Sequence, residues 1–217
     1  MKRLFLASEA KHPESMKKLE EFVDGLKGKK IAYIPTAANG EESYGTWKKG
    51  ATYNLVKKIG AKVTPVVLED YKEDQTNKRV LKLLKGKDII WFAGGMCGYL
   101  MYWVRRFEIE KHINEILESG TFYVGSSAGS MVCAQTLDTA VHCLDFPENG
   151  AGVIPGFGLI NFHFYPHYED AILLRLKKVW KSGDLYLIKN GEAITVIDGK
   201  VEVLGEKRIL RKGKLIK

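Results

Sequence analysis

Phe122-Tyr123-Val124-Gly125-Ser126-Ser127-Ala128-Gly129 is the stretch on which the reading of the fold turns. Three apolar, strand-favouring residues run directly into Gly-x-Ser-x-Gly, and a helical pattern begins near Ser127 with no loop between. A strand feeding a helix through so short a turn is half of a strand–helix–strand unit, which brings parallel strands and right-handed crossovers. The same alternation recurs toward the N-terminus. Strands are predicted at 2–7, 30–35, 63–68 and 88–93. The last of these, Asp88-Ile89-Ile90-Trp91-Phe92-Ala93, is nearly all apolar, as a strand covered on both faces must be. Helices are predicted at 15–26, 44–59, 77–84, 96–106 and 108–119, with Gly60 in the position where a helix C-terminus favours a left-handed residue.

The implied architecture is α/β, a three-layer sandwich around a mostly parallel sheet, with ligands expected beyond the carboxyl ends of the strands. Past residue 183 the texture changes. Short strands are predicted at 185–188, 193–197, 200–203 and 209–215, separated by Asn190-Gly191, Asp198-Gly199 and Gly205. No linker composition intervenes, so 183–217 reads as an antiparallel β extension of a single domain spanning 1–217.

The 217 residues suit one domain with a sizeable core. Thirty-four basic against 26 acidic residues leave a formal charge of +8, but the lysines are scattered and no basic run is interleaved with aromatics. A basic, soluble surface is expected, with no nucleic acid partner. The uncharged run 89–104 is broken by Gly94, Gly95 and Gly98 and is too short to span a bilayer, so no membrane partner is expected either. Cys97, Cys133 and Cys143 have neither the number nor the spacing of a disulfide set, and a cytoplasmic location with reduced thiols follows.

In the strand–helix context, Gly-x-Ser-x-Gly is the pattern of a nucleophile elbow. The sharp turn lifts Ser127 from the sheet edge, Gly125 and Gly129 let it close, and the helix start offers N–H donors to a developing oxyanion. Such a serine needs a base. His12 and His112 sit among charged residues, whereas His163 and His167 flank the end of a strand in Asn161-Phe162-His163-Phe164-Tyr165-Pro166-His167. Pro166 stops that strand and fixes His167 at its carboxyl end, which makes His167 the expected base, ahead of His163 and then His142. Pro166 also forbids the helical turn on which two histidines four apart would face one metal, so neither a metal nor a cofactor is expected. Ala93-Gly94-Gly95 closes a neighbouring strand and would let backbone amides approach a substrate carbonyl.

Three blocks, Phe92-Ala93-Gly94-Gly95, Gly125-Ser126-Ser127-Ala128-Gly129 and the segment ending in Pro166-His167, carry a resemblance that spans nearly the whole chain. Their order and spacing resemble the aspartyl dipeptidase (peptidase E) family of serine peptidases, relatives of cyanophycinase. The resemblance implies a flavodoxin-like sheet related to class I glutamine amidotransferases and a serine exopeptidase acting on short peptides. It implies Ser127 as nucleophile, His167 as base, and the amides of Gly95 and Ala128 as the oxyanion hole. Where the family often has three glycines and then Asn, this chain has Ala93-Gly94-Gly95-Met96. Two acids match the third triad position: Asp145, between serine and histidine as in the dipeptidase branch, and Glu192, after the histidine as in the cyanophycinase-like branch. Glu192 is preferred because it begins an apolar strand. A family preference for N-terminal aspartate would call on a cation, for which Arg105, Arg106, Arg175, Lys177, Lys178 and Lys181 are candidates. A small-molecule esterase or amidase and a non-catalytic binding domain are the alternative readings, and a homodimer is left open.

Overall fold

The computed structural model describes residues 1–41, 43–74, 76–144 and 151–217. Its main sheet has seven strands: β1 (Arg3–Ala7), β2 (Lys30–Ile34), β3 (Lys62–Pro65), β4 (Ile89–Phe92), β5 (Phe122–Ser126), β8 (Ala193–Ile197) and β9 (Lys200–Leu204). Their order is β3-β2-β4-β5-β1-β8-β9, and all pairings from β3 through β1 are parallel. Alternation along β4 explains why both faces are covered. Ile90 and Phe92 enter one buried layer with Leu4, Leu6 and Tyr123, while Ile89 and Trp91 enter the opposite layer with Phe5, Ile31 and Val124. This is the mostly parallel α/β sheet that the sequence implies.

The crossovers are α1 (Pro13–Phe22), α2 (Thr36–Glu41), α3 (Ala51–Lys58), α4 (Lys78–Leu84), α5 (Cys97–Arg106) and α6 (Ile109–Glu118), followed by short α7 (Ala128–Met131) and α8 (Asp138–His142), and by α9 (Leu173–Val179). The expected helix at 44–59 is not continuous. Gly45 is left-handed (φ 83°) and Gly50 extended (φ −64°, ψ 143°), so a 3-10 turn at Thr46–Lys49 precedes α3. That break turns Trp47 inward, only 6% exposed. No helix among the described residues is long and apolar enough to cross a membrane.

The C-terminal strands divide between two sheets. β8 pairs antiparallel with β1, and β9 with β8, so 193–204 extends the main sheet. The second sheet has the order β11-β10-β7-β6, built from β6 (His163–Tyr165), β7 (Leu185–Leu187), β10 (Ile209–Arg211) and β11 (Lys214–Ile216). The predicted single strand at 209–215 is a hairpin, because Lys212 and Gly213 both take positive φ. Two registers place the chemistry. Phe92 pairs with Gly125 and Ala7 with Ser126, so the chain leaves β1, β4 and β5 at one level of the sheet edge. Residues 188–192 cross from β7 to β8 at that same edge, where Ala193 pairs with Ala7.

Candidate active site

The turn between β5 and α7 holds Ser127 at φ 50°, ψ −111°, a conformation that costs an L-residue about 1–3 kcal/mol and persists only when its surroundings enforce it. They do so by close backbone contact. A Cβ on Gly125 would lie 2.6 Å from the Gly129 carbonyl oxygen, and one on Gly129 would lie 2.2 Å from that of Phe92. Hydrogen bonds stitch the turn to β1: the Ser127 amide donates to the Ala7 carbonyl at 3.1 Å, and the Ser130 hydroxyl donates to the same carbonyl at 2.8 Å. The Ala10 amide donates to Ser126 Oγ at 3.1 Å. The two glycines and the strand-to-helix junction therefore do what the sequence pattern requires of them.

His167 follows Pro166 just past β6, with φ 52°. Its Nε2 lies 3.0 Å from Ser127 Oγ. Its Nδ1 lies 2.7 Å from Asn190 Oδ1. The His167 backbone amide donates to Ser8 Oγ at 2.7 Å, and Ser8 Oγ bonds Asn190 Oδ1 at 3.0 Å. Ser8 is fully buried. Serine and imidazole thus stand at the separation that proton transfer needs.

Glu192, the preferred orienting acid, is not the partner of the imidazole. Its carboxylate is turned to Arg208, with contacts of 2.8 and 3.2 Å, and accepts from the amides of Lys189 and Glu206 at 2.9 and 3.0 Å. Burial pushes the Glu192 carboxyl up, but the Arg208 hydrogen bond and the two amides outweigh it and hold the group below the ordinary glutamate value. The acid was drawn to a buried guanidinium that sequence proximity does not reveal. The other candidate, Asp145, lies outside the described residues. The sequence marks Asn190 only as part of the turn signal Asn190-Gly191 and gives no sign of Ser8.

The remaining histidines point elsewhere. His163 packs edge-on against Trp180 at 4.8 Å, and burial keeps it below the usual imidazole value against the pull of Asp138. His12 caps α1, accepting from the Glu14 amide, and His112 faces Glu115. His142 ends α8 beside Asp138. All three cysteines are buried thiols outside any disulfide, and burial raises the Cys133 and Cys143 thiols, the latter to about 12, which suits neither to nucleophilic work. Among the described residues no three His, Cys, Asp or Glu side chains gather as a metal site.

Gly95 takes φ 130°, and a Cβ there would fall 2.1 Å from the Ala37 carbonyl oxygen. The same carbonyl accepts from the Met96 amide at 2.9 Å, so α2 braces the glycine loop. Behind α2 the buried Glu69 carboxylate accepts from Thr36 Oγ1 and Asn39 Nδ2, each at 2.9 Å. Gly94 passes so close to the elbow that its Cβ would sit 3.3 Å from that of Ser127. Gly95→Ala must therefore push the loop off α2. We expect kcat to fall about 10²-fold, with KM changed less; steady-state kinetics check it.

Ser127 and His167 open into a cleft of about 700 Å³ whose walls include Trp47, Met96, Met131 and Tyr165. Among the described residues its charged side chains are Glu9, Lys11 and Glu41, and Lys11 is ion-paired with Glu9 at 3.1 Å. Arg105, Arg106, Arg175, Lys177, Lys178 and Lys181 do not line it. Arg105 bonds the Gly156 carbonyl and Arg106 that of Lys72.

Known proteins resemble this chain along most of its length. The sequence profile of peptidase family S51 matches residues 4–204. A Listeria innocua peptidase of uncharacterized activity is 27% identical over 208 residues, covering 93% of this chain and 95% of its own. Peptidase E of Nostoc is 24% identical, over 85% of this chain and 76% of its own. The crystal structure of a Listeria monocytogenes protein assigned to peptidase E superposes with a TM-score of 0.77 at 24% identity, covering 94% of this chain and 98% of its own. A peptidase structure from an acI-B1 actinobacterium gives 0.65, also at 24% identity, over 100% and 96%. The chain belongs to peptidase family S51, and it is a serine peptidase.

Proposed function

We propose that the chain is an exopeptidase of dipeptidase type that hydrolyses short peptides through an acyl-enzyme on Ser127. The observation that carries this reading is the 3.0 Å contact of His167 Nε2 with Ser127 Oγ, made while Nδ1 is held by an oxygen acceptor. With the proton on Nδ1, the Nε2 lone pair accepts the serine proton as Oγ attacks the scissile carbonyl. The oxyanion that forms is met by the amides of Gly95 and Ala128. The imidazolium then protonates the leaving amine, and water, activated by the same nitrogen, releases the acyl group. Asn190 supplies orientation and tautomer without a full negative charge, a role that neutral amides fill in other nucleophile–histidine pairs.

The substrate class follows from the cleft. Among the described residues its carboxylates, Glu9 and Glu41, suit the free amino terminus of a short peptide, and its apolar walls suit uncharged side chains. Among the same residues an N-terminal aspartate would find Lys11 as its cation, and Lys11 would first have to leave Glu9. The test is hydrolysis of a panel of dipeptides, with Asp-first and apolar-first members, beside the same peptides N-acetylated and matched esters, all with chelator present. We expect cleavage of free dipeptides, apolar-first at least as fast as Asp-first, and at least about tenfold slower cleavage of acetylated ones. Cleavage of esters alone would replace this reading with a small-molecule esterase. No turnover of any substrate, together with no phosphonate labelling of Ser127, would favour a binding domain.

A further inference from the structure

The geometry points to Ser8 as the positioning residue that sets the imidazole tautomer, by fixing which end of the Asn190 amide faces His167. The inference rests on the serine-peptidase reading of Ser127 and His167, and it adds a residue from the opposite end of the chain. The backbone amide of His167 is only a donor, so at 2.7 Å Ser8 Oγ must accept from it. The hydroxyl proton of Ser8 is then free to donate, and the polar atom 3.0 Å away is on Asn190. The hydroxyl oxygen could accept a second donor as well, but among the described contacts the buried Ser8 proton has no other acceptor, so that atom is the carbonyl Oδ1 and not the amide nitrogen. The same Oδ1 lies 2.7 Å from His167 Nδ1, which must then carry the proton. The lone pair is left on Nε2, facing Ser127 Oγ.

The cycle runs from a backbone N–H, whose polarity cannot change, through Ser8 and Asn190 to the base. Asparagine is the residue for which this matters, because its two ends differ in sign. Rotated by half a turn, it would offer –NH2 to both Ser8 and Nδ1. The ring would then place its proton on Nε2, where it cannot accept one from Ser127. A carboxylate would need no such control, since both of its oxygens accept. Asn190 and His167 are exposed, whereas Ser8 is fully buried at the end of β1, where its amide donates to the Glu192 carbonyl at 3.3 Å. The buried member of the cycle is the one suited to hold the orientation against solvent.

The test is a double-mutant cycle of Ser8→Ala and Asn190→Asp, with kinetics on the best peptide of the panel and nitrogen NMR of the His167 ring. A wholly wrong tautomer costs a serine triad about 10⁴-fold, and a mixed one less. We expect Ser8→Ala alone to lower kcat about 10–100-fold with KM little changed, and to convert a single Nδ1–H tautomer into a mixture. In the Asn190→Asp background the same change should cost less than about 3-fold, because no amide remains to be misoriented. An equal loss in both backgrounds, or an unchanged tautomer in Ser8→Ala, would overturn the assignment. Should Ser8→Ala not fold, Ser8→Cys keeps the shape with a weak donor and is read in the same way. The ring spectrum does not depend on turnover. A wild type that cleaves no peptide would therefore defeat the catalytic reading while the NMR arm still decided the role of Ser8.

Discussion

Ser127→Ala is expected to lower kcat about 10⁴–10⁶-fold while leaving the folded state intact. The hydroxyl it removes touches the His167 ring, and the backbone bonds that hold the elbow, from the Ser127 amide to Ala7 and from the Ser130 and Met131 amides to the Ser127 carbonyl, do not involve it. Residual turnover would come from the oxyanion amides and from binding. The companion variant Ser127→Gly should be equally inactive but more stable, by about 1 kcal/mol, because glycine adopts φ 50°, ψ −111° without the penalty that serine bears there. Denaturant midpoints for the two variants beside wild type check both statements. A Ser127→Ala enzyme within tenfold of wild type would remove Ser127 from the chemistry. A Ser127→Gly enzyme less stable than wild type would show that the elbow is not strained.

Glu192→Ala is expected to destabilise the fold strongly, although Glu192 does not touch the imidazole. It removes one partner of a buried ion pair whose side chains are 5% exposed at Arg208 and 15% at Glu192, and it frees the Lys189 and Glu206 amides. Breaking such pairs costs about 3–5 kcal/mol, chiefly because the surviving charge stays buried. Arg208 keeps Glu206 at 2.7 Å, which puts the loss at the lower end, about 3 kcal/mol, or a fall of about 10 °C in Tm for a chain of this size. The pH dependence has a definite sign. Because the folded-state carboxyl is held below its ordinary value, its contribution is complete above the unfolded glutamate value of about 4.3 and is lost as pH falls through the lowered one. The stability gap between wild type and variant should thus be constant from neutral pH to about pH 5 and narrow below about pH 4. Activity should fall as well, since Glu192 ties down the turn from Lys189 that presents Asn190 to His167. A gap that widens in acid would contradict the pairing.

Features encoded within a few residues were legible before the fold was known. The run of apolar residues into Gly125-Ser126-Ser127-Ala128-Gly129 marked strand, turn and helix start, because strand propensity and two small residues are local signals, although contacts with β1 and β4 are what hold Ser127 in its strained conformation. Pro166 ended β6 and put His167 beyond it, since proline cannot extend the ladder. The hairpin at Asp198-Gly199 was legible for the same local reason. Between Gly45 and Gly50, by contrast, a helical apolar pattern was overridden by two backbone conformations that only the packed chain reveals.

The tertiary structure alone decided the order of the strands, the division of 185–216 between two sheets, and which polar groups meet at the base. Glu192 immediately precedes β8, yet its carboxylate goes to the buried Arg208 guanidinium and two backbone amides, which leaves a neutral amide as the acceptor at the imidazole. Ser8 reaches the His167 amide across 159 residues and Asn190 across 182. No periodicity or spacing carries that information. It comes from the register of β8 on β1, which brings the turn carrying Asn190 to the end of the strand that carries Ser8.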